Sequence, residues 1–153
     1  MNLVFAKTRL ADVKRDLTVP ILELLGVVIG CRISKFVAEQ LDIPNINQTL
    51  FTDSQCVIEW YKSTKVLKTF VGNRVGEIRN HDIRIAYVKR DENPADIASK
   101  GESAKRLMDN VLWWKGPNWL NIPGSEWPSP KYKLTDETRF VISKEEKGSK
   151  VLY

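Results

Sequence analysis

Residues 50–60 read LFTDSQCVIEW, and this stretch decides the fold class. Thr49 to Thr52 form a short apolar run of strand type that ends at Asp53. From Ser54 to about Lys62 the pattern changes, with Val57, Ile58 and Tyr61 at helical spacing. A buried strand that ends on a carboxylate and leads directly into a helix belongs to an α/β architecture. Such folds place ligand-binding groups at the carboxyl edge of the sheet.

Upstream, Thr18 and Pro20 mark a helix start that the spacing extends to about Gln40, because the missing N–H of proline has no partner in a first turn. Ile21, Leu24, Leu25 and Val28 recur at helical spacing. Glu23 is the only charge between Val19 and Cys31. A helix this apolar is expected to pack against a sheet, and Gly26 and Gly30, four apart, suit a close approach. GVVIGC also reads as a strand, since short apolar runs do not distinguish the two. Leu3 to Ala6 form a further β-type run, leading into the basic stretch KTRLADVKR.

Downstream, Asp42 to Gln48 is expected as a connector and Thr69 to Asn80 as a third helix. Ile83 to Lys89 is expected as a strand, because Ile83, Ile85 and Tyr87 alternate with Arg84, Ala86 and Val88. Asn93 and Pro94 open a short helix that Gly101 stops, and another brief helix is expected around Ala104 to Asp109. Beyond Gly101 the composition shifts: four of the five Trp and four of the seven Pro fall between Trp113 and Pro130. Few cations interleave with these rings, which favours packing on an apolar surface over stacking on bases. The expected division is a domain over 1–101, a Trp/Pro-rich connector over 102–130, and a charged, mobile tail over 131–153 with a strand at Phe140 to Ile142.

The 24 Lys and Arg exceed the 19 Asp and Glu, giving a net charge of +5, a mild bias toward polyanions. Cys31 and Cys56 lack the spacing of a zinc knuckle or a disulfide framework and read as small core residues in a reducing compartment. The sequence has no signal-peptide layout, and its longest apolar run is too short to cross a bilayer. His81, the single histidine, reads as a surface residue.

Three carboxylates stand in or beside apolar elements: Glu23, Asp53 and Asp96. A buried, unpaired carboxylate costs several kcal/mol, so such a group is neutral, paired with a cation, or bound to metal. Converging at the sheet edge, the three would suit Mg²⁺ or Mn²⁺, which take hard oxygen ligands. Each also has a structural reading. Glu23 is then an exposed first-turn acid, Asp53 the cap of the helix that follows, with Thr52 and Gln55 at capping-box spacing, and Asp96 a first-turn acid after Pro94.

Seven ordered strings resemble the ribonuclease H-like region of BEL/Pao retrotransposon Pol polyproteins: AKTRLA (6–11), PILELLG (20–26), FTDSQCVIEW (51–60), NRVGEI (73–78), NPADIASKG (93–101), LWWKGPNWL (112–120) and EWP (126–128). The resemblance implies a ribonuclease H-like fold, a mixed sheet flanked by helices, incomplete at its N-terminal strands and followed by a Trp/Pro-rich extension. It implies Glu23, Asp53 and Asp96 as catalytic and metal-binding residues, with two Mg²⁺ or Mn²⁺ ions in the intact family. The substrate implied is the RNA strand of an RNA/DNA hybrid, cleaved by two-metal phosphodiester hydrolysis. Ser54, Gln55, Asn73 and Arg74 are the expected contacts to the nucleic-acid backbone, although Arg74 also has Glu77 within helical reach.

The family's first aspartate, which bridges both ions, has no counterpart here: no acid precedes Asp12, and Asp12 follows AKTRLA. The expectation is therefore a domain truncated at its N-terminus and inactive alone. Its implied partners are nucleic acid and, in an intact polyprotein, an upstream reverse transcriptase and a downstream integrase, with no membrane. Its implied location is intracellular, cytoplasmic or nuclear, including a virus-like particle. The alternative is a non-catalytic nucleic-acid-binding or protein-interaction remnant of a retroelement. A third reading is a chain that does not fold stably without further strands.

Overall fold

A computed structural model describes residues 3–11, 16–43 and 48–148. Asp12, most of the expected connector after Asp42 and the last five residues lie outside them. The chain divides into two units, one of Met1–Leu10 with Val88–Pro130 and the other of Ala11–Tyr87 with Lys131–Tyr153.

The second unit holds helix α1 (Val19–Gln40), strand β1 (Gln48–Thr52), helices α2 (Gln55–Lys62) and α3 (Thr69–Arg79), and strand β2 (Ile83–Tyr87). The two strands pair in parallel, Gln48 opposite Ile83 through Thr52 opposite Tyr87. α2 and α3 form the crossover that a parallel pair requires. Helix-rich α/β architecture is thus observed, with a small two-stranded sheet, compatible with a ribonuclease H-like fold. GVVIGC is helical, because its apolar residues pack on both α3 and the sheet. Leu24, Val27, Val28 and Cys31 of α1 join Val57 and Trp60 of α2 and Val71, Val75 and Ile78 of α3 in one core.

At Gly30, α1 runs close against Leu50 of the sheet. A Cβ there would lie 2.5 Å from Leu50 Cδ1, whereas one at Gly26 would meet nothing within 4 Å. Only one of the two glycines therefore serves the close approach. The face of α1 turned to α3 carries Arg32, whose guanidinium forks onto Glu77 at 2.6 and 3.0 Å. That fork holds the Glu77 carboxyl below the usual glutamate range.

Residues Asp136–Lys144 form helix α7 where a strand was expected at Phe140 to Ile142. Thr135 caps it by accepting from the Thr138 N–H at 3.1 Å, and Val141 and Ile142 pack on the core. The apolar run misled because a run this short does not distinguish strand from helix: Val141 and Ile142 pack on the core while Phe140 is exposed. Beyond α7, Lys68 donates its backbone N–H to Glu145 at 2.7 Å and Lys147 donates to Val66 at 2.7 Å. The Glu146 carboxylate, largely buried, pairs with Lys65 at 2.7 Å. The charged segment that follows Lys131 is thereby tied down through Gly148.

In the first unit, Leu3 to Ala6 do not form the expected strand. A strand needs a ladder partner, and the Leu3 N–H instead donates to the Trp114 carbonyl at 2.9 Å. A 3-10 turn (Arg90–Glu92) leads to α4 (Ala95–Lys100), α5 (Ala104–Met108) and α6 (Val111–Lys115), the last an element the Trp-rich sequence did not disclose. Asn110 caps α6, accepting from the Trp113 N–H at 3.0 Å. Three indole N–H groups of the segment are satisfied within the unit: Trp114 on Leu107, Trp119 on Glu92 and Trp127 on Ile122. Trp119 and Trp127 meet edge to face at 6.0 Å.

Candidate active site

Asp53 directly follows β1, at the carboxyl edge of the parallel pair, and is half-buried. It is not the cap of α2. That position belongs to Ser54, whose hydroxyl accepts from the Val57 N–H at 3.4 Å. The difference follows from backbone shape, because Ser54 is the last extended residue before α2 begins. Thr52 also turns inward rather than forming a capping box: its Oγ1 accepts the Ser54 backbone N–H at 3.2 Å. Asp53 thus stands in the chain between two residues whose hydroxyls each accept a backbone N–H.

Glu23 lies in the second turn of α1, since the first turn contains no acid. It is half-buried rather than exposed. Its Oε2 accepts the hydroxyl proton of Ser54 at 2.5 Å. A contact spanning 31 residues therefore brings Glu23 to the residue beside Asp53. The negative charge of Glu23 also reaches the Cys56 thiol. Burial first, and that charge second, push Cys56 up to about 11.

Asp96 belongs to the other unit, on the first turn of α4, as its structural reading expected. Lys100 pairs with it at 2.8 Å and Arg90 at 3.4 Å. The three line a cleft of about 210 Å³ together with Asn93, Ile97 and Asn110. Within each unit, among the described residues, no three His, Cys, Asp or Glu side chains form a group placed to hold a metal ion. Glu23 and Asp53 are the two expected ligands that the structure places on neighbouring elements, through the contact of Glu23 with Ser54. Mg²⁺ is commonly held by one or two carboxylates, with water and substrate phosphate completing its shell.

The four expected backbone contacts fare differently. Ser54 is buried with its hydroxyl engaged, and Gln55 is half-buried at the start of α2. Asn73 is exposed on α3. Arg74 stacks on the Phe70 ring, 3.8 Å from its centroid, while Glu77 takes Arg32 as its forked partner. His81 is half-buried at the end of α3, not on the open surface. The Ser54 contact to Glu23 was not visible in the sequence, because a hydrogen bond between distant positions leaves no local periodicity.

A family model for the Pao retrotransposon-like RNaseH-like domain matches residues 1–54. That stretch, about a third of the chain, is similar to the family. The match ends at Ser54 and so takes in both Glu23 and Asp53. Neither a curated protein nor a solved structure matches the chain. Among the described residues, no helix is long and apolar enough to cross a membrane.

Proposed function

We propose that the chain is a ribonuclease H-like domain of a Pao-type retroelement, from a lineage that cleaves the RNA strand of an RNA/DNA hybrid, and that it is inactive alone because none of its carboxylates matches the family's bridging aspartate. The observation that supports this reading is the contact of Glu23 with Ser54, the residue next to Asp53 at the carboxyl edge of the sheet. Glu23 and Asp53 would hold Mg²⁺ or Mn²⁺, and on the resemblance Asp96 is the third ligand. When bound, such ions supply activation of the attacking water and stabilisation of the departing 3′ oxygen.

The chain's own contribution is positional. Asp53 follows the last residue of β1, and α1, packed on α3 and the sheet, carries Glu23 to Ser54. Asn73 and Arg74 sit on α3 as candidate contacts to the hybrid backbone, and Gln55 opens α2 as another. Asp96 must exchange its pairing with Lys100 and Arg90 for an ion if it is to act as a ligand.

Mn²⁺ titration of the full chain, followed by the loss of the free-ion paramagnetic resonance signal, tests the reading. Asp53→Asn and Glu23→Gln are each expected to weaken binding about 10-fold or more. Equal affinity in the wild type and both variants would refute it. Asp96→Asn tests the third ligand separately: unchanged affinity removes Asp96 from the set. Salt-dependent binding of a hybrid with no response to metal would instead favour a non-catalytic nucleic-acid-binding remnant.

A further inference from the structure

We propose that Ser129 is a phosphoacceptor for a proline-directed protein kinase, a modification independent of the carboxylate chemistry above. Of the seven prolines, only Pro130 directly follows a Ser or Thr. Pro128 and Pro130 hold φ at about −65°, and a residue that precedes proline is kept out of the helical region, so Ser129 is confined to extended backbone. Trp127 already has that form, at φ −61° and ψ 136°. No backbone group of residues 128–134 takes a hydrogen-bond partner among the described residues.

The hydroxyl is available as well. Other loop hydroxyls are engaged: Ser103 and Thr135 cap helices, and Ser63 accepts from the Lys65 N–H. Ser129 is exposed, and its side chain makes no hydrogen bond among the described residues. A kinase grips its substrate as an extended segment, and one that is already extended and unbonded has no turn or helix to melt first. A kinase pocket that offers no partner to the N–H of the residue after the acceptor selects proline there, because proline has no N–H to desolvate. No Lys or Arg lies between Lys115 and Ser129, which denies recognition by a kinase that reads upstream cations.

In the transfer, Ser129 Oγ attacks the γ-phosphorus of a nucleoside triphosphate and the bond from that phosphorus to the bridging oxygen of the β-phosphate breaks. The hydroxyl proton passes to the kinase's catalytic aspartate, and the nucleoside diphosphate leaves with the bonding pair. Residues 127–133, WPSPKYK, hold two lysines and no acid. A phosphate adds a charge of about −2 at pH 7, so modification switches this stretch from cationic to close to neutral.

The full chain, incubated with Mg-ATP and a proline-directed kinase and mapped by tandem mass spectrometry, is expected to carry one phosphate, on Ser129. Ser129→Ala is expected to abolish incorporation, Ser129→Thr to retain it, and Pro130→Ala to reduce it to the level of Ser129→Ala, with thermal melts reading whether each variant is folded. A kinase that reads upstream cations is expected to leave Ser129 unmodified. No incorporation into the folded wild-type chain, incorporation at Thr8 or Ser125 in place of Ser129, or undiminished incorporation in folded Pro130→Ala overturns the assignment.

Discussion

Replacing Gly30 and Gly26 by alanine, one at a time, separates two forces that act on the same helix. Both glycines lie inside α1, where glycine is about 1 kcal/mol less favourable than alanine. At Gly26 the new methyl meets nothing within 4 Å, so Gly26→Ala is expected to stabilise by up to about 1 kcal/mol. At Gly30 the methyl would stand 2.5 Å from Leu50 Cδ1, well inside van der Waals contact, and 3.5 Å from its Cγ, an ordinary contact distance. Leu50 is packed against the core and must leave its rotamer or push the helix away from β1. Overpacking of this kind costs about 1–3 kcal/mol, which offsets or exceeds the propensity gain. Gly30→Ala is therefore expected to be neutral or destabilising by about 1–2 kcal/mol. Urea unfolding followed by circular dichroism measures both. In a Leu50→Ala background the obstructing atoms are gone, and Gly30→Ala is expected to turn stabilising, a coupling of about 1–3 kcal/mol between the two sites. If Gly30→Ala stabilises the otherwise unaltered chain as much as Gly26→Ala does, the close approach of α1 to β1 is refuted.

The Arg32 fork lowers the folded pKa of Glu77, so its contribution is full above the ordinary glutamate value of about 4.3 and is lost as pH falls through the lowered one. Glu77→Gln is expected to flatten that acid limb of stability, read from urea midpoints between about pH 7 and pH 3, with the difference shrinking in high salt because both groups are largely exposed. Arg79 donates to the carbonyls of Trp60, Tyr61 and Ser63 at the end of α2, and Arg79→Ala is expected to cost about 1 kcal/mol in the same assay, with lysine restoring little because it lacks the fork. Cys31 and Cys56 are buried and both raised to about 11, mainly by desolvation. Their reaction with a thiol-disulfide reagent at pH 8 is expected to be roughly 100-fold slower in the native chain than in urea.

Local order was readable along much of the chain. The start of α1 at Thr18, the strand that ends on Asp53, α3 and the stop at Gly101 all follow from short-range chemistry: proline at a helix start, alternation in Ile83 to Tyr87, glycine at a positive φ of 73°. The misreadings have a common origin. Leu3 to Ala6 and Phe140 to Ile142 are apolar runs whose form depends on what they pack against, and both found partners other than a sheet. The cap of α2 was misplaced by one residue, and that residue turned out to hold Glu23.

The sequence alone determined the α/β character, the carboxylate at the end of β1 and, through AKTRLA, PILELLG and TDS, the Pao-type kinship of residues 1–54. These are matters of residue type and spacing within a few turns or one strand. The tertiary structure alone decided that Glu23 reaches Ser54, that Glu77 pairs with Arg32 rather than Arg74, and that only Gly30 of the two glycines touches the sheet. Such choices depend on which helix faces meet after the chain has packed. No pattern of neighbours along the chain records a distance between residues that lie 31 or 45 positions apart.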